Sequence, residues 1–211
     1  MSPAVLCYGD SNTWGYEGSS GARLGRWDRW PGILQRELGD GVHVLEEGMS
    51  GRTTVFDVPY EGGRNGLTHL PVSLQTHAPL DVVVISLGTN DLFVPGVNAF
   101  HAAHGAMKLA EVARTSACGP NGGAARVLVL VPPPFRPLGM WEPDAPEGEA
   151  ESRRFAEHFA EMAAEYGDVP LLDLGELITS SPADGIHLEA ADHRVIGAAV
   201  AARLRPMLAT A

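Results

Sequence analysis

Basic residues are scarce in this sequence. Lys and Arg together make up 15 of the 211 residues, against 26 Asp and Glu, so the formal net charge is −11. Proteins that bind nucleic acids or anionic membranes need clustered Lys and Arg to displace the counterions of their partner. The chain has no such cluster. We therefore expect neither a nucleic acid nor a membrane surface as its partner.

Cysteines and long apolar runs are also few. The two cysteines, Cys7 and Cys118, provide neither a disulfide framework nor a zinc-binding pattern. Met1-Ser2-Pro3 lacks the charged region that opens a signal peptide, and the apolar run that follows stops at Gly9, too early to span a membrane. These features predict a cytoplasmic protein without a membrane span.

Motifs for cofactors and metals are missing as well. Neither G-x-G-x-x-G nor G-x-x-x-x-G-K-[ST] occurs at a strand-to-helix turn of the sequence. His101 and His104 fit one face of a helix, but no Asp, Glu or Cys pattern completes a set of metal ligands around them. We expect no cofactor and no metal.

Five short apolar runs alternate with stretches typical of helices. The runs are apolar on both faces, as in parallel strands that are covered from both sides; they lie at 4–8, 42–45, 81–87, 126–131 and 169–172. Helices are predicted at 30–38, 98–116, 152–166 and 190–208. For the first of these helices, Asp28 is the expected N-cap and Gly39 the expected end.

The order of these elements predicts the fold class. Strands that alternate with helices form βαβ units, and such units have right-handed crossovers. We therefore predict an α/β protein, a three-layer α/β/α sandwich around a flavodoxin-like five-stranded parallel sheet of order 2-1-3-4-5. A chain of 211 residues is long enough for one sizeable core, so a single domain over 1–211 is expected.

A serine stands where the first strand should end. Gly9-Asp10-Ser11 follows the apolar run at 4–8, and ligands of such sheets bind outside the carboxyl ends of the strands. Serine is a poor nucleophile unless a base removes its proton and dipoles stabilise the oxyanion formed on the substrate. If Ser11 is a nucleophile, other segments of the chain must therefore supply a base and oxyanion donors.

Asp184-Gly185-Ile186-His187 offers the base. An Asp three residues before a His can accept a hydrogen bond from the imidazole Nδ1–H and leave Nε2 to take the serine proton. The order Ser, Asp, His is that of other α/β hydrolases, although the turn at Ser11 is not their G-x-S-x-G elbow. Taken alone, the pattern also fits a solvated His beside a helix cap.

Two further strand-end loops offer oxyanion donors. Gly48-Met49-Ser50-Gly51-Arg52 follows the second strand, and Gly88-Thr89-Asn90-Asp91 follows the third. A glycine brings its backbone N–H close to a substrate, and an Asn carboxamide supplies an uncharged donor. The second loop alone also fits a turn with a helix cap. All of these segments are expected to meet at one crevice.

Four blocks of the sequence together carry a family resemblance. Gly9-Asp10-Ser11, Gly51, Gly88-Thr89-Asn90-Asp91 and Asp184-Gly185-Ile186-His187 stand in the order of the signature blocks of the SGNH/GDSL hydrolases, which the chain resembles over nearly its whole length. More narrowly, "LCYGDSNTWGY", "EEGMSGRTT", "LPVSLQTHAPLDVVVISLGTND" and "DGIHLEAADHRVIGAAVA" resemble the bacterial arylesterase and acyltransferase branch.

The resemblance implies roles for the residues of these blocks. It implies Ser11 as nucleophile, His187 as general acid and base, and Asp184 as the carboxylate that orients the imidazole. The implied oxyanion hole consists of the backbone N–H groups of Ser11 and Gly51 and the side chain of Asn90. Because the branch includes oligomers, the resemblance leaves homo-oligomer formation open.

Several residues are candidates for the substrate pocket. The long irregular stretch 132–148 is expected to form a wall or lid of the crevice. With aromatic residues near Ser11, it supplies the candidates, which are Asn12, Trp14, Tyr16, Phe135 and Trp141. Asp10 has two interpretations, as a buried acceptor that holds the turn or as an alternative acid. Arg52 and Asp57 either organise the second block or form a surface pair.

These inferences define the expected function. We expect a serine esterase that hydrolyses small-acyl or aryl esters through an acyl-enzyme, with acyl transfer where an alcohol competes with water. The alternatives are a thioesterase or lysophospholipase for longer acyl chains and a carbohydrate acetylesterase. A non-catalytic α/β binding module is the last alternative, and it has no need of oxyanion donors in separate loops.

Overall fold

The core of the protein is a parallel five-stranded sheet. The computed structural model describes residues 2–58 and 60–209. The strands are β1 (Ala4–Gly9), β2 (His43–Gly48), β3 (Val82–Ser86), β4 (Arg126–Val131) and β5 (Leu171–Asp173). They lie in the order β2-β1-β3-β4-β5, and every neighbouring pair is parallel. The predicted strand order is confirmed.

Helices connect the strands. They are α1 (Ser11–Trp14), α2 (Trp30–Leu38), α3 (Gly66–His77), α4 (Ala99–Thr115), α5 (Gly148–Ser152), α6 (Phe155–Glu165) and α7 (Ala190–Ala209). Short 3-10 turns lie at Thr89–Phe93, Pro120–Gly122, Gly139–Asp144 and Leu174–Glu176. Within residues 2–58 and 60–209, no helix combines the length and the apolar character needed to cross a membrane.

Two apolar clusters cover the two faces of the sheet. Successive side chains of a strand point to opposite faces. Leu6 and Tyr8 of β1 belong to the cluster that includes buried residues of α3, α4 and α6, whereas Val5 and Cys7 belong to the cluster that includes α2 and α7. The three-layer α/β/α sandwich is therefore confirmed.

Some element boundaries differ from the predictions. The predicted N-cap of α2 is wrong: Arg29 occupies that position without a side-chain cap, because Asp28 closes a turn in which its N–H donates to the Gly25 carbonyl. The helix predicted at 152–166 corresponds to α6, which begins only at Phe155, since Ser152 is the last residue of the separate helix α5. The Ser152 hydroxyl accepts from the Phe135 N–H and so binds the segment 132–148.

The helix α3 was not predicted from the sequence. α3 begins after Asn65, whose side chain accepts from the N–H groups of Leu67 and Thr68. Gly66 and Pro71 weaken the helical signal of this sequence, since both residues are poor helix formers. The N-cap residue and the buried pair Leu70 and Leu74 were the signal that could have found it.

The end of β2 packs tightly against the helix that carries Ser11. A Cβ built on Gly48 would lie 2.2 Å from the Trp14 backbone nitrogen. We expect Gly48→Ala to lower the free energy of unfolding by about 1–3 kcal/mol, since overpacking forces the backbone to shift. Urea denaturation measures this. The control is Gly41→Ala, where a Cβ meets nothing within 4 Å; an equal loss there would contradict the packing argument.

Candidate active site

A tight turn places Ser11 at the carboxyl end of β1. The Asp10 side chain caps α1 by accepting from the Asn12 N–H at 2.9 Å. Gly9 allows the turn to be this close, because a Cβ at that position would lie 2.0 Å from Thr13 Oγ1. Ser11 is therefore the first residue of a helix that begins two residues after the strand, and its own N–H is not used inside that helix.

His187 and Asp184 approach Ser11 from the other end of the chain. The imidazole Nε2 lies 3.0 Å from Ser11 Oγ, and Nδ1 lies 2.6 Å from Asp184 Oδ2. The other carboxylate oxygen of Asp184 accepts from the backbone N–H groups of Ile186 and His187, both at 3.0 Å. These bonds hold the Asp184 carboxylate against the imidazole. Nδ1 is then the donor to the carboxylate, and Nε2 is directed at the serine.

The hydrogen bonds to Asp184 also set its charge state. Burial by itself would raise the pKa of this carboxyl, but the bonds from the imidazole and from the two backbone N–H groups outweigh burial and lower the pKa below its usual value. Asp184 is therefore ionised at neutral pH. The ring of Tyr16 lies against the imidazole, with 4.2 Å between ring centroids.

The stretch 132–148 supports the loop that holds His187. Gly185 has a φ of +81°, and a Cβ there would lie 2.7 Å from the Pro137 carbonyl oxygen. The Gly185 carbonyl in turn accepts from the Arg136 N–H at 2.9 Å. A glycine is thus required for the close approach of the two segments.

Gly51 and Asn90 lie beside Ser11 and His187 on the wall of one cavity. Gly51 adopts a φ of +75°. The Asn90 side chain donates to the Arg52 carbonyl at 3.1 Å, which fixes its orientation. A carboxamide has two N–H donors, and this bond uses one of them.

Two buried carboxyl groups lie behind this wall. Asp91 accepts from both the N–H and the hydroxyl of Thr54 and so ties the loop after β3 to the loop after β2. Burial raises the pKa of Asp91 to about 7, against the opposing bonds from Thr54. Burial likewise raises the pKa of Asp10 to about 6, opposed by the Asn12 N–H and by the charges of His187 and Arg52.

The cavity has a volume of about 440 Å³ and is mostly apolar. Of the pocket candidates, Tyr16 and Trp141 line it. Sequence reasoning missed five apolar or aromatic lining residues, which are Val58, Tyr60, Phe93, Val94 and Ile186. Phe93, Val94 and Ile186 are close in sequence to Asn90 or His187, and that proximity was the available signal.

The other three pocket candidates lie elsewhere. Phe135 is buried in the core, where its ring contacts Phe93 and Phe155, so the prediction that it lines the cavity is corrected. Trp14 lies under the Arg23 guanidinium, 4.7 Å from the ring centroid. Asn12 is buried beside a separate small cavity. The hydrogen-bonded turn of α1 directs these last two side chains away from the wall.

Comparisons with known proteins show the family of the chain. The model of the GDSL-like Lipase/Acylhydrolase family matches residues 7–195. The M. smegmatis aryl esterase is 36% identical, with a TM-score of 0.91, over 97% of this chain and 99% of that one. Est24, a carbohydrate acetylesterase from Sinorhizobium meliloti, is 36% identical, with a TM-score of 0.90, over 97% of this chain and 99% of that one. No curated protein matches the sequence.

The chain belongs to the GDSL-like lipase/acylhydrolase family, within the SGNH hydrolases. Its similarity to the two esterases extends over almost the full length of each. The protein is therefore a carboxylic ester hydrolase. Within the described ranges 2–58 and 60–209, His, Cys, Asp and Glu side chains form no group suited to hold a metal ion.

The raised pKa of Asp91 makes stability depend on pH. The folded protein keeps this proton up to about pH 7, whereas an ordinary Asp loses it near 3.8. The stabilising effect of protonation is therefore full below pH 3.8 and is lost as the pH rises through 7. We expect the unfolding free energy to fall between pH 5 and pH 8 more in the wild type than in Asp91→Asn, by on the order of 1–4 kcal/mol.

Urea denaturation at both pH values measures this difference. Asp10 remains in both proteins, and its charge adds to the raised pKa of Asp91, so the comparison measures the titration of Asp91 together with its interaction with Asp10. Parallel pH profiles for the wild type and Asp91→Asn would contradict the assignment.

Proposed function

We propose that the protein is a serine esterase that acts through an acyl-enzyme. The observation that carries the proposal is the continuous chain of contacts from Asp184 Oδ2 to His187 Nδ1 at 2.6 Å and from His187 Nε2 to Ser11 Oγ at 3.0 Å, at the wall of a cavity. Such a chain activates a serine because the base is within reach of the proton and is itself held in one orientation.

The reaction follows from these contacts. His187 takes the Ser11 proton as Oγ attacks the ester carbonyl, and the charge of Asp184 stabilises the resulting imidazolium. The imidazolium then protonates the alkoxy oxygen of the ester as its bond to the carbonyl carbon breaks, so that the alcohol leaves and the acyl group stays on Ser11. Water attacks the acyl-serine with His187 as base, and free Ser11 is regenerated with the acid product. An alcohol in place of water would give acyl transfer.

The negative oxygen of the tetrahedral intermediate needs donors that are in place beforehand. We assign this role to the backbone N–H groups of Ser11 and Gly51 and to the second N–H of the Asn90 side chain. Three donors from three loops surround the oxygen without adding a charge. Removal of one such donor costs about 10²–10³ in kcat in a well-studied serine protease.

The residues that line the cavity favour a small ester as the substrate. Tyr16, Phe93 and Trp141 give it apolar aromatic surface, which suits a short acyl group or an aryl group. A carbohydrate acetyl ester is the second candidate, because Glu61 and Asp144 add carboxylate acceptors for sugar hydroxyls and Est24 is a carbohydrate acetylesterase. The cavity volume of about 440 Å³ favours esters with short acyl chains over esters with longer ones.

Hydrolysis of p-nitrophenyl acetate, butyrate and octanoate tests the proposal. We expect acetate and butyrate to exceed octanoate in kcat/KM, and Ser11→Ala to lose at least about 10³-fold in kcat. Ser19→Ala, at an exposed serine, is the matched control and should retain activity. Circular dichroism establishes that each variant is folded. Retained hydrolysis in a folded Ser11→Ala protein would refute the acyl-enzyme mechanism.

Trp141 is expected to limit the length of the acyl group. We expect Trp141→Ala to raise the ratio of octanoate to acetate kcat/KM by about tenfold, since one methylene in an apolar pocket is worth roughly 1–3 kcal/mol. Trp27→Ala is the control: this ring is 42% exposed and lies between the guanidinium groups of Arg26 and Arg36, outside the cavity. An unchanged ratio in Trp141→Ala would remove Trp141 from the acyl site.

A further inference from the structure

A buried guanidinium lies beneath the loops of the active site. Arg52 is only 4% exposed. Among the described residues, no carboxylate forms a salt bridge with it. It does not contact Asp57, which accepts from Asn65 instead, so the surface pair considered from the sequence is not formed. A buried charge without an ionic partner lowers the stability of the fold unless hydrogen bonds compensate for its lost hydration.

The guanidinium bonds to the ends of two strands. Its Nη1 donates to the Gly9 carbonyl at 2.9 Å and to the Glu47 carbonyl. Its face covers the Tyr8 ring, 4.1 Å from the centroid. Gly9 is two residues before Ser11, and Glu47 is at the end of β2, shortly before Gly51. One side chain therefore joins the strand ends that precede two of the proposed oxyanion donors.

The backbone of the same residue reaches the third donor. The Arg52 carbonyl accepts from Asn90 Nδ2 at 3.1 Å, and the Arg52 N–H donates to the Met49 carbonyl at 3.1 Å. Arg52 thus contacts, through its side chain and its main chain together, the loops that carry Ser11, Gly51 and Asn90.

We infer that Arg52 is a positioning residue for the oxyanion hole: its contacts hold the three donors at the mutual spacing that the tetrahedral intermediate requires. This inference rests on the proposed esterase function. Donors act in catalysis only when they lie within about 2.7–3.1 Å of the oxyanion. A group that sets the spacing of these donors therefore affects the free energy of the transition state and contributes little to binding of the ester. A purely structural role would affect stability alone.

The test compares Arg52→Lys and Arg52→Ala with the wild type. Lys keeps the charge but lacks the planar guanidinium that covers the Tyr8 ring. We expect both variants to lose about 10–10²-fold in kcat on p-nitrophenyl acetate, with KM within about threefold. The rate of phosphonate labelling of Ser11 should fall in proportion to kcat. Millimolar guanidinium should restore kcat of Arg52→Ala at least about fivefold, and equal sodium chloride should not.

Arg29→Met is the matched control for the loss of a buried arginine. The Arg29 side chain is 12% exposed, pairs with Glu46 at 2.5 Å and donates to the Leu24 carbonyl, so these bonds involve none of the proposed oxyanion donors. We expect this variant to lower the melting temperature while kcat stays within about threefold of the wild type.

Three results would overturn the inference. They are a folded Arg52→Lys protein with wild-type kcat, an equal kcat loss in Arg29→Met, or a loss that appears in KM alone. Ser11→Ala in the same assay separates this inference from the function on which it rests. If Ser11→Ala is inactive while the Arg52 variants keep full kcat, the esterase mechanism stands and the role of Arg52 fails. If Ser11→Ala stays active, the mechanism itself fails.

Discussion

The parallel pairing of β1 with β2 on one side and β3 on the other is the constraint on which the site depends. Gly9 is in register with both Gly48 and Ser86. Three strands therefore end side by side, and the loops that follow them carry Ser11, Gly51 and Asn90. A slip of one residue would turn each buried strand side chain to the other face of the sheet. Because two different apolar clusters cover the two faces, packing fixes the register, and the register brings the three loops together.

The loop of His187 is held in another way. It follows no strand directly, and 176 residues separate His187 from Ser11. Local bonds shape it: the Ser181 N–H donates to the His187 carbonyl, and the Gly185 N–H donates to the Ser181 carbonyl. The Arg136 N–H then anchors it to the stretch 132–148. That stretch was expected as a wall or lid. Trp141 does line the cavity, while the Arg136 backbone supports the loop that carries His187.

The sequence predicted those parts of the molecule that repeat a local pattern. Apolar runs identified all five strands, of which β1, β3 and β4 are buried along most of their length. Strand-end loops identified the residues that converge on the cavity. The packing of individual side chains could not be predicted from the sequence pattern alone. The sequence predicted that Phe135 lines the pocket, yet its position depends on contacts with Phe93 and Phe155, which are distant in sequence. The burial of Arg52 is of the same kind, because its partners are backbone carbonyls, which every sequence possesses.

Three carboxyl groups near Ser11 differ in the environment that each receives. Asp184 accepts bonds from the imidazole and two backbone N–H groups, which lower its pKa despite burial. Asp10 and Asp91 are buried more completely and have pKa values raised to about 6 and about 7. A carboxylate that must stabilise an imidazolium has to be charged, whereas one that holds a loop needs only an acceptor oxygen. Environment, rather than residue type, therefore supports the proposed electrostatic role of Asp184 and leaves Asp10 and Asp91 to hold the turn and the loops around Ser11.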